Sequence, residues 1–144
     1  MGLYSQKATE YFKQGYNCAQ SVLLAFAPDL NMDSDTALKL ASSFGGGMGR
    51  LREVCGAVTS MFAIAGLKYG YTSPTDDIAK QKHYELIQNL ANKFRAKHNS
   101  IICRELLGID GEDTPVPEKR TNEYYSKRPC ENCIKTACEI LEDL

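Results

Sequence analysis

The sequence predicts an all-α fold, a single compact domain over residues 1–144 with about six to seven helices and no sheet. Apolar residues recur at three- and four-residue spacing along most of the chain, as they do on the buried face of a helix. No stretch alternates apolar and polar residues in the manner of a half-buried strand, and no internal repeat is present. A chain of 144 residues fits one domain and can bury a core without disulfides or a metal ion.

The N-terminal part of the chain predicts two short helices separated by a glycine. The first covers residues 4–14, and Gly15 ends it. Asn17 is a good N-cap for the second helix, and Gln20 three residues later completes a capping-box pair. This assignment places Cys18 at the first position of the second helix.

A glycine-rich loop separates the third predicted helix, capped by Asp33 or Ser34, from the fourth, which we expect over about 52–68. The loop holds four glycines that cannot lie inside a stable helix and that permit close backbone approach: Gly45, Gly46, Gly47 and Gly49. Arg50 and Arg52 follow at once, so the loop can cradle an anion. It lacks the lysine of a P-loop, and nucleotide binding is not expected.

The C-terminal half predicts three further helices and one long loop. A Ser-Pro-x-Asp start signal opens a fifth helix over about 73–97. A short helix carrying Cys103 follows and is stopped by Gly108. Residues 109–128 are rich in Gly, Pro, Asp, Glu and Lys and predict a long loop. Pro129 then opens the last helix.

Charge and composition exclude several classes of partner. The net charge of −1 predicts neither a nucleic-acid nor a membrane-surface partner. The N-terminus has no apolar segment like that of a signal peptide, and the weakly polar run 54–67 is too short to cross a bilayer. We therefore expect a cytoplasmic protein with an unknown redox partner, and a homodimer is one option. Six cysteines in a reducing compartment indicate metal binding or redox chemistry rather than static disulfides.

The positions of the cysteines indicate more than their number. Four of them fall in the first turn or so of a separate predicted helix: Cys18, Cys55, Cys103 and Cys130. Unpaired N–H groups and the positive end of the helix dipole favour a thiolate at such a position. Cys130 and Cys133 also form a CxxC pair, which suits a reversible disulfide or half of a metal site. Cys138 lies on the apolar face of the last helix and is interpreted as a core residue.

Five segments along nearly the whole chain carry a resemblance to a known family. They are Gly15-Tyr-Asn-Cys-Ala-Gln20, Phe44-Gly-Gly-Gly-Met-Gly-Arg50, Cys55-Gly56-Ala57, Cys103-Arg-Glu-Leu-Leu-Gly108, and Cys130 four residues before Ile134. In these segments the chain resembles the small redox-active proteins named for the pattern C-GCAxxG-C-C. The resemblance implies that Cys18, Cys55, Cys103 and Cys130 are the four cysteines of that family, and that Cys133 and Cys138 are additional. The motif that begins with Cys55-Gly56-Ala57 ends, three residues after the alanine, in a glycine in the family, and this position is Ser60 in this chain.

Three functions are compatible with these residues. In the first, which we favour, the chain is a thiol redox protein in which Cys55 is the nucleophile and Cys18, Cys103 or Cys130 resolves the disulfide. Residues expected to support that site are Gly45, Gly46, Gly47, Arg50, Arg52, Gly56 and Cys133. We expect Cys55 to be the most reactive thiol, with a lowered pKa and with Cys18 nearby. Whether such a protein is an enzyme, as a thiol–disulfide oxidoreductase is, stays open at this point.

The other two functions use the same cysteines differently or not at all. In an electron-transfer or metal-binding module, Cys18, Cys55, Cys103 and Cys130 ligate a [2Fe–2S] cluster or a zinc ion, although their spacings match no common iron–sulfur signature. In a helical interaction domain without catalysis, the thiols are incidental. The CxxC and the scattered order of the remaining cysteines favour exchange chemistry over both.

Overall fold

The computed structural model describes residues 2–144 and confirms the predicted all-α fold. Over these residues there is no sheet, and the β-type pairing is confined to an isolated antiparallel bridge between Val54 and Ile102. Six helices have nine residues or more, and short helical segments join them. In chain order the helices are α1 Leu3–Lys13, α2 Cys18–Phe26, α3 Ser34–Ser42, α4 Gly45–Met48, α5 Gly56–Tyr69, α6 Asp77–His98, α7 Cys103–Leu107, α8 Asn122–Lys127 and α9 Cys130–Glu142.

Helix α2 lies at the centre of the packing. It contacts α1, α3, α5 and α9, and almost all of its side chains are buried. Helix α5 packs along it and also meets α6 and α9. The largest fully buried side chains around these helices are Phe12, Phe26, Phe94, Leu23, Met61 and Ile64. Across residues 2–144, every helix is either too short or too polar to span a lipid bilayer.

The caps predicted for α2 and α3 are present. Asn17 Oδ1 accepts a hydrogen bond from the Gln20 amide at 2.8 Å, and Gln20 Oε1 accepts one from the Asn17 amide at 3.1 Å. This capping box starts α2 at Cys18. Asp33 caps α3 by accepting from the Thr36 amide at 3.0 Å. Local sequence chemistry therefore determines where both helices begin.

Small residues on α5 let this helix approach α2 closely. A Cβ at Gly56 would lie 2.6 Å from Cys18 Sγ, so a larger residue would displace that thiol. One turn further on, Ser60 Oγ donates a hydrogen bond to the Ala19 carbonyl at 2.7 Å. The serine that replaces the last motif glycine is thus buried and links the two helices.

Two predicted helix starts were too early. Helix α5 was expected from about residue 52 but begins at Gly56, because Arg52 has a left-handed backbone with φ 61° and Cys55 becomes the N-cap. Helix α6 begins at Asp77, where Asp76 accepts a hydrogen bond from the Ala79 amide at 3.0 Å. In both cases a turn or a tertiary contact occupies the residues that the local pattern assigned to the helix.

The long loop predicted over 109–128 is not entirely irregular. Its last part forms the short helix α8, which Thr121 caps by accepting from the Tyr124 amide at 3.1 Å. Composition alone indicated a loop because glycine, proline and charged residues dominate the segment. The irregular part is residues 109–121, and we call it the strap.

The segment α4 is an irregular turn rather than a regular helix, because Gly46 and Gly47 inside it have non-helical backbone angles. This glycine loop packs directly against the start of α7. Gly46, Gly47 and Gly49 have φ of 68°, 68° and 61°, a conformation that other L-residues adopt at a cost. A Cβ at Gly47 would lie 2.5 Å from Cys103 Cβ and 2.9 Å from the Glu53 amide nitrogen. The loop therefore gives the close approach that its glycines predicted.

We predict that Gly47→Ala destabilises the fold more than Gly108→Ala does. Both residues have a left-handed backbone, with φ of 68° and 70°, but a Cβ at Gly108 would meet nothing within 4 Å. Gly108→Ala should cost about 1–2 kcal/mol of backbone strain alone. Gly47→Ala adds overlap with Cys103 and should cost about 3–5 kcal/mol in total. Urea denaturation measures both, and equal losses would show that the close approach is unimportant.

Candidate functional site

The four helix starts that carry cysteines converge on one cavity. Its volume is about 290 Å³, and we call it the cysteine pocket. Cys18, Cys103 and Cys130 are the first residues of α2, α7 and α9, and Cys55 is the N-cap of α5. The pocket is lined by five of the six cysteines, Cys18, Cys55, Cys103, Cys130 and Cys133. The sixth, Cys138, is fully buried in the core, as its position on the apolar face predicted.

Backbone hydrogen bonds hold the starts of α5 and α7 together. The Cys55 amide donates to the Ile101 carbonyl at 2.8 Å, and the Cys103 amide donates to the Glu53 carbonyl at 2.6 Å. These two bonds flank the isolated bridge between the same segments. Residues far apart in the chain are thereby held at fixed separation, which places Cys55 and Cys103 at the same cavity.

Three of the pocket thiols, those of Cys18, Cys55 and Cys133, line the cavity near one another. Cys55 lies close enough to Cys18 to raise the pKa of that thiol, and Cys133 lies close enough to Cys55 to raise its pKa. Cys133 lies one turn after Cys130 in α9, so both members of the CxxC face the pocket. Cys133 of α9 therefore lies near Cys55, which is the N-cap of a different helix, α5. The resemblance implied that Cys133 is an additional cysteine, yet it lies near Cys55, which we expected to be central.

Burial raises the pKa of four pocket thiols, those of Cys18, Cys55, Cys103 and Cys130. Contact with Cys133 and burial raise the pKa of Cys55, and contact with Cys55 and burial raise the pKa of Cys18. Burial, together with the nearby Cys18 and Cys103, raises the pKa of Cys130 to about 12. The expectation that helix starts lower these pKa values, and that of Cys55 above all, was therefore wrong. Burial and neighbouring thiols outweigh the helix dipole and the free N–H groups.

One pocket thiol has a cationic partner. Arg52 is buried, and its Nη1 donates to Cys103 Sγ at 3.6 Å while its Nε donates to Asp113 Oδ2 at 2.9 Å. Burial still raises the pKa of Cys103, but this guanidinium lowers it against that effect. Cys103 is therefore a pocket cysteine whose sulfur accepts a hydrogen bond from a guanidinium group, a contact that we had expected around Cys55.

Arginine–carboxylate pairs tie the strap to the rim of the pocket. Arg50 lies 3.7 Å from both Asp113 and Glu118, and its backbone carbonyl accepts from the Asp113 amide at 2.9 Å. Glu118 also pairs with Arg128, and the pKa of this carboxyl is lowered mainly by that partner. The strap, predicted only as a loop, thus lies against the site.

Sequence reasoning missed most of the residues on this rim. The pocket is also lined by Phe12, Pro117, Glu118, Arg120, Tyr124 and Arg128. All except Phe12 fall in the segment predicted as a long loop. The sequence did contain one indication that this segment contacts a site. Tyr124 and Tyr125 are adjacent and lie between Arg120 and Arg128, and so many large side chains are unusual in a mobile loop.

Metal ligation has no ready-made site in the part of the chain that the structure describes. Within residues 2–144, no three cysteine, histidine, aspartate or glutamate side chains are grouped as a metal ion requires. His98 is engaged elsewhere, with its Nε2 2.7 Å from Thr136 Oγ1. The four cysteines line one cavity, but binding a metal or cluster would require them to move closer together.

Comparison with known proteins gives one match. The family model described as "Putative redox-active protein (C_GCAxxG_C_C)" matches residues 16–144 and therefore includes all six cysteines. Searches among curated proteins and among solved structures returned no match.

The raised thiol pKa values predict a loss of stability in alkaline solution. The unfolded chain loses its thiol protons above pH of about 8.5, whereas the folded chain retains them. The free energy of unfolding should be unaffected by these groups below that pH. It should fall above it by about 1.4 kcal/mol per pH unit for each such thiol.

Urea denaturation under reducing conditions at pH 8 to 10.5 measures this effect, and a Cys130→Ser variant isolates the share of one thiol. The decline should be shallower in the variant, because Cys130 is one of the thiols with a raised pKa. Identical slopes in the two proteins would show that Cys130 titrates normally when folded.

Proposed function

The chain belongs to the C_GCAxxG_C_C family, and we propose that it carries out reversible dithiol–disulfide exchange in the cysteine pocket. The observation that supports this most strongly is that five cysteines line one cavity, namely Cys18, Cys55, Cys103, Cys130 and Cys133. Neighbouring thiols in one cavity can form a disulfide without a large rearrangement, provided that their Cα atoms lie within about 7 Å. The description of the family as redox-active agrees with this assignment.

The oxidant in this exchange is an incoming disulfide, which accepts two electrons from the protein. A pocket thiolate attacks one sulfur of that molecule, forming a mixed disulfide and releasing a thiolate that takes up a proton. A second pocket thiol loses its proton and attacks the mixed disulfide, which releases the second half of the molecule as a thiol. The protein gains one disulfide bond and loses two electrons, which the substrate has accepted.

We assign the first attack to Cys103 and the stable disulfide to Cys55. Arg52 donates to Cys103 Sγ and is the cation best placed to favour a thiolate. Cys18 lines the same cavity as Cys103, and we assign it the role of resolving the mixed disulfide. Cys55 lies near both Cys18 and Cys133, so further exchange within the pocket transfers the disulfide to Cys55. A reducing compartment such as the cytoplasm would return the pocket to its dithiol form.

Binding of a [2Fe–2S] cluster or zinc is the second candidate. Cys18, Cys55, Cys103 and Cys130 are soft donors that line one cavity, which favours it. Their protons would have to be released on binding, and their raised pKa values oppose this step. Iron and zinc analysis of anaerobically purified protein distinguishes the two candidates.

We predict that the stable disulfide of the oxidised protein contains Cys55. Wild-type protein, oxidised with a small disulfide and quenched in acid, should show Cys55 joined to Cys18 or to Cys133 by peptide mass mapping. Cys133→Ala should leave only the Cys18–Cys55 bond, whereas Cys18→Ala, which lacks the resolving thiol, should accumulate the mixed disulfide at Cys103. A bond between Cys130 and Cys133 as the main product would contradict this assignment.

Cys138→Ala is the matched control for Cys133→Ala, because both substitutions remove a buried thiol from α9. Cys138 is fully buried and does not line the pocket. The variant should leave the disulfide pattern unchanged and lower the free energy of unfolding by about 1 kcal/mol, as a small cavity does. A changed disulfide pattern would show that Cys138 takes part in the exchange.

A further inference from the structure

Four of the five pocket thiols are accessible only to a molecule that can enter the cavity. Cys18, Cys55 and Cys103 are each at most 9% exposed, and Cys133 is 1% exposed, whereas Cys130 is partly buried. A folded partner protein presents its cysteine on a surface and cannot bring that sulfur in line with a buried one without opening the site. The cavity volume of about 290 Å³ is close to the lower limit of about 300 Å³ for small-molecule sites. Access therefore favours a small organic molecule over a protein.

The lining of the pocket is strongly cationic. Its charged groups are four arginines and one carboxylate, namely Arg50, Arg52, Arg120, Arg128 and Glu118. Asp113, behind the rim, pairs with Arg50 and Arg52 and offsets one further charge. An excess of guanidinium charge remains beside the thiols, and such an excess in a confined site favours anions.

Arg120 is the clearest part of that excess. Its Nη1 and Nη2 each donate at 3.1 Å, to the carbonyls of Phe12 and Tyr16. Its guanidinium lies over the rings of Phe12 at 4.6 Å and Tyr124 at 4.9 Å. Within residues 2–144 no ion pair neutralises it. Two of its five N–H groups are thus used, and the others can bind a carboxylate.

We propose that the substrate of the cysteine pocket is a low-molecular-weight disulfide, or the corresponding thiol, that carries carboxylate groups. This inference rests on the proposed function and specifies its substrate class. The carboxylates bind the guanidinium groups of Arg120 and Arg128, and the disulfide lies against the thiols. A pocket thiolate and a substrate sulfur form the new bond, the substrate S–S bond breaks, and the released thiolate takes up a proton.

A charge series of disulfides tests the proposal. The compounds are 3,3′-dithiodipropionate, which is anionic, bis(2-hydroxyethyl) disulfide, which is neutral, and cystamine, which is cationic. The rate of protein disulfide formation is measured by acid quench and mass spectrometry. Each rate is divided by that of the same compound with the uncharged thiol N-acetylcysteamine, which removes intrinsic differences in reactivity. The anionic compound should exceed the cationic one by about tenfold at low salt, and the ratio should shrink at high salt.

Arg128→Gln and Arg95→Gln form a matched pair, because both remove one positive charge. Arg128 lines the pocket, whereas Arg95 lies on the exposed face of α6 and contacts Asn92. The first variant should lower the ratio of anionic to cationic rates by about threefold or more, and the second should leave it unchanged. Circular dichroism checks that both are folded. If Arg128→Gln does not fold, the wild-type series still decides the matter.

The outcomes separate the substrate class from the proposed function. Equal normalised rates for the three compounds, or a preference for cystamine, would overturn the anionic substrate and leave the exchange chemistry intact. Failure of every compound to produce a protein disulfide would overturn the proposed function itself. An anionic preference that Arg128→Gln weakens and Arg95→Gln does not supports both.

Discussion

The cysteine pocket depends on the close packing of the glycine loop against the first turn of α7. Gly47 lies so near Cys103 that a single methyl group would overlap it. The Gly47 carbonyl accepts from the Glu53 amide at 2.9 Å, and the Glu53 carbonyl accepts from the Cys103 amide at 2.6 Å. Through this contact the loop, the segment before α5 and the start of α7 form one unit. That unit brings Cys103 to the cavity that Cys18 and Cys55 line, and it points Arg52 at the Cys103 thiol.

Two electrostatic effects oppose one another in the pocket. Helix starts favour thiolates through their dipoles and free N–H groups, but burial and neighbouring thiols favour the neutral form. Burial prevails, and the pKa values of Cys18 and Cys55 are raised. Cys18 and Cys55 are thus protonated in the reduced protein, and buried thiols of this kind react slowly with reagents in solution. The guanidinium groups provide charge where a thiolate forms, which couples reactivity to what occupies the cavity.

Much of the local structure could be predicted from the sequence, because it depends on neighbouring residues. The capping box of Asn17 and Gln20 fixes Cys18 at the start of α2, and Cys103 and Cys130 also begin helices as predicted. The start of α5 was misplaced because a tertiary bridge, which no local pattern reveals, holds Val54 in extended backbone. The position of Cys133 near Cys55 depends on how α9 packs on α5, and the direction of the thiol pKa shifts depends on burial. Helix packing and burial are both properties of the assembled fold.

Cysteine Cβ chemical shifts followed during a redox titration show whether Cys55 enters the stable disulfide, because they distinguish a thiol from a disulfide at each residue. Protein labelled with ¹³C at the cysteine Cβ would be equilibrated with increasing ratios of oxidised to reduced dithiothreitol. We expect one two-electron transition in which the Cys55 signal moves to the disulfide range, together with Cys18 or Cys133, while Cys138 stays constant. A transition in which Cys55 remains a thiol, or no transition at all, would contradict the proposed exchange.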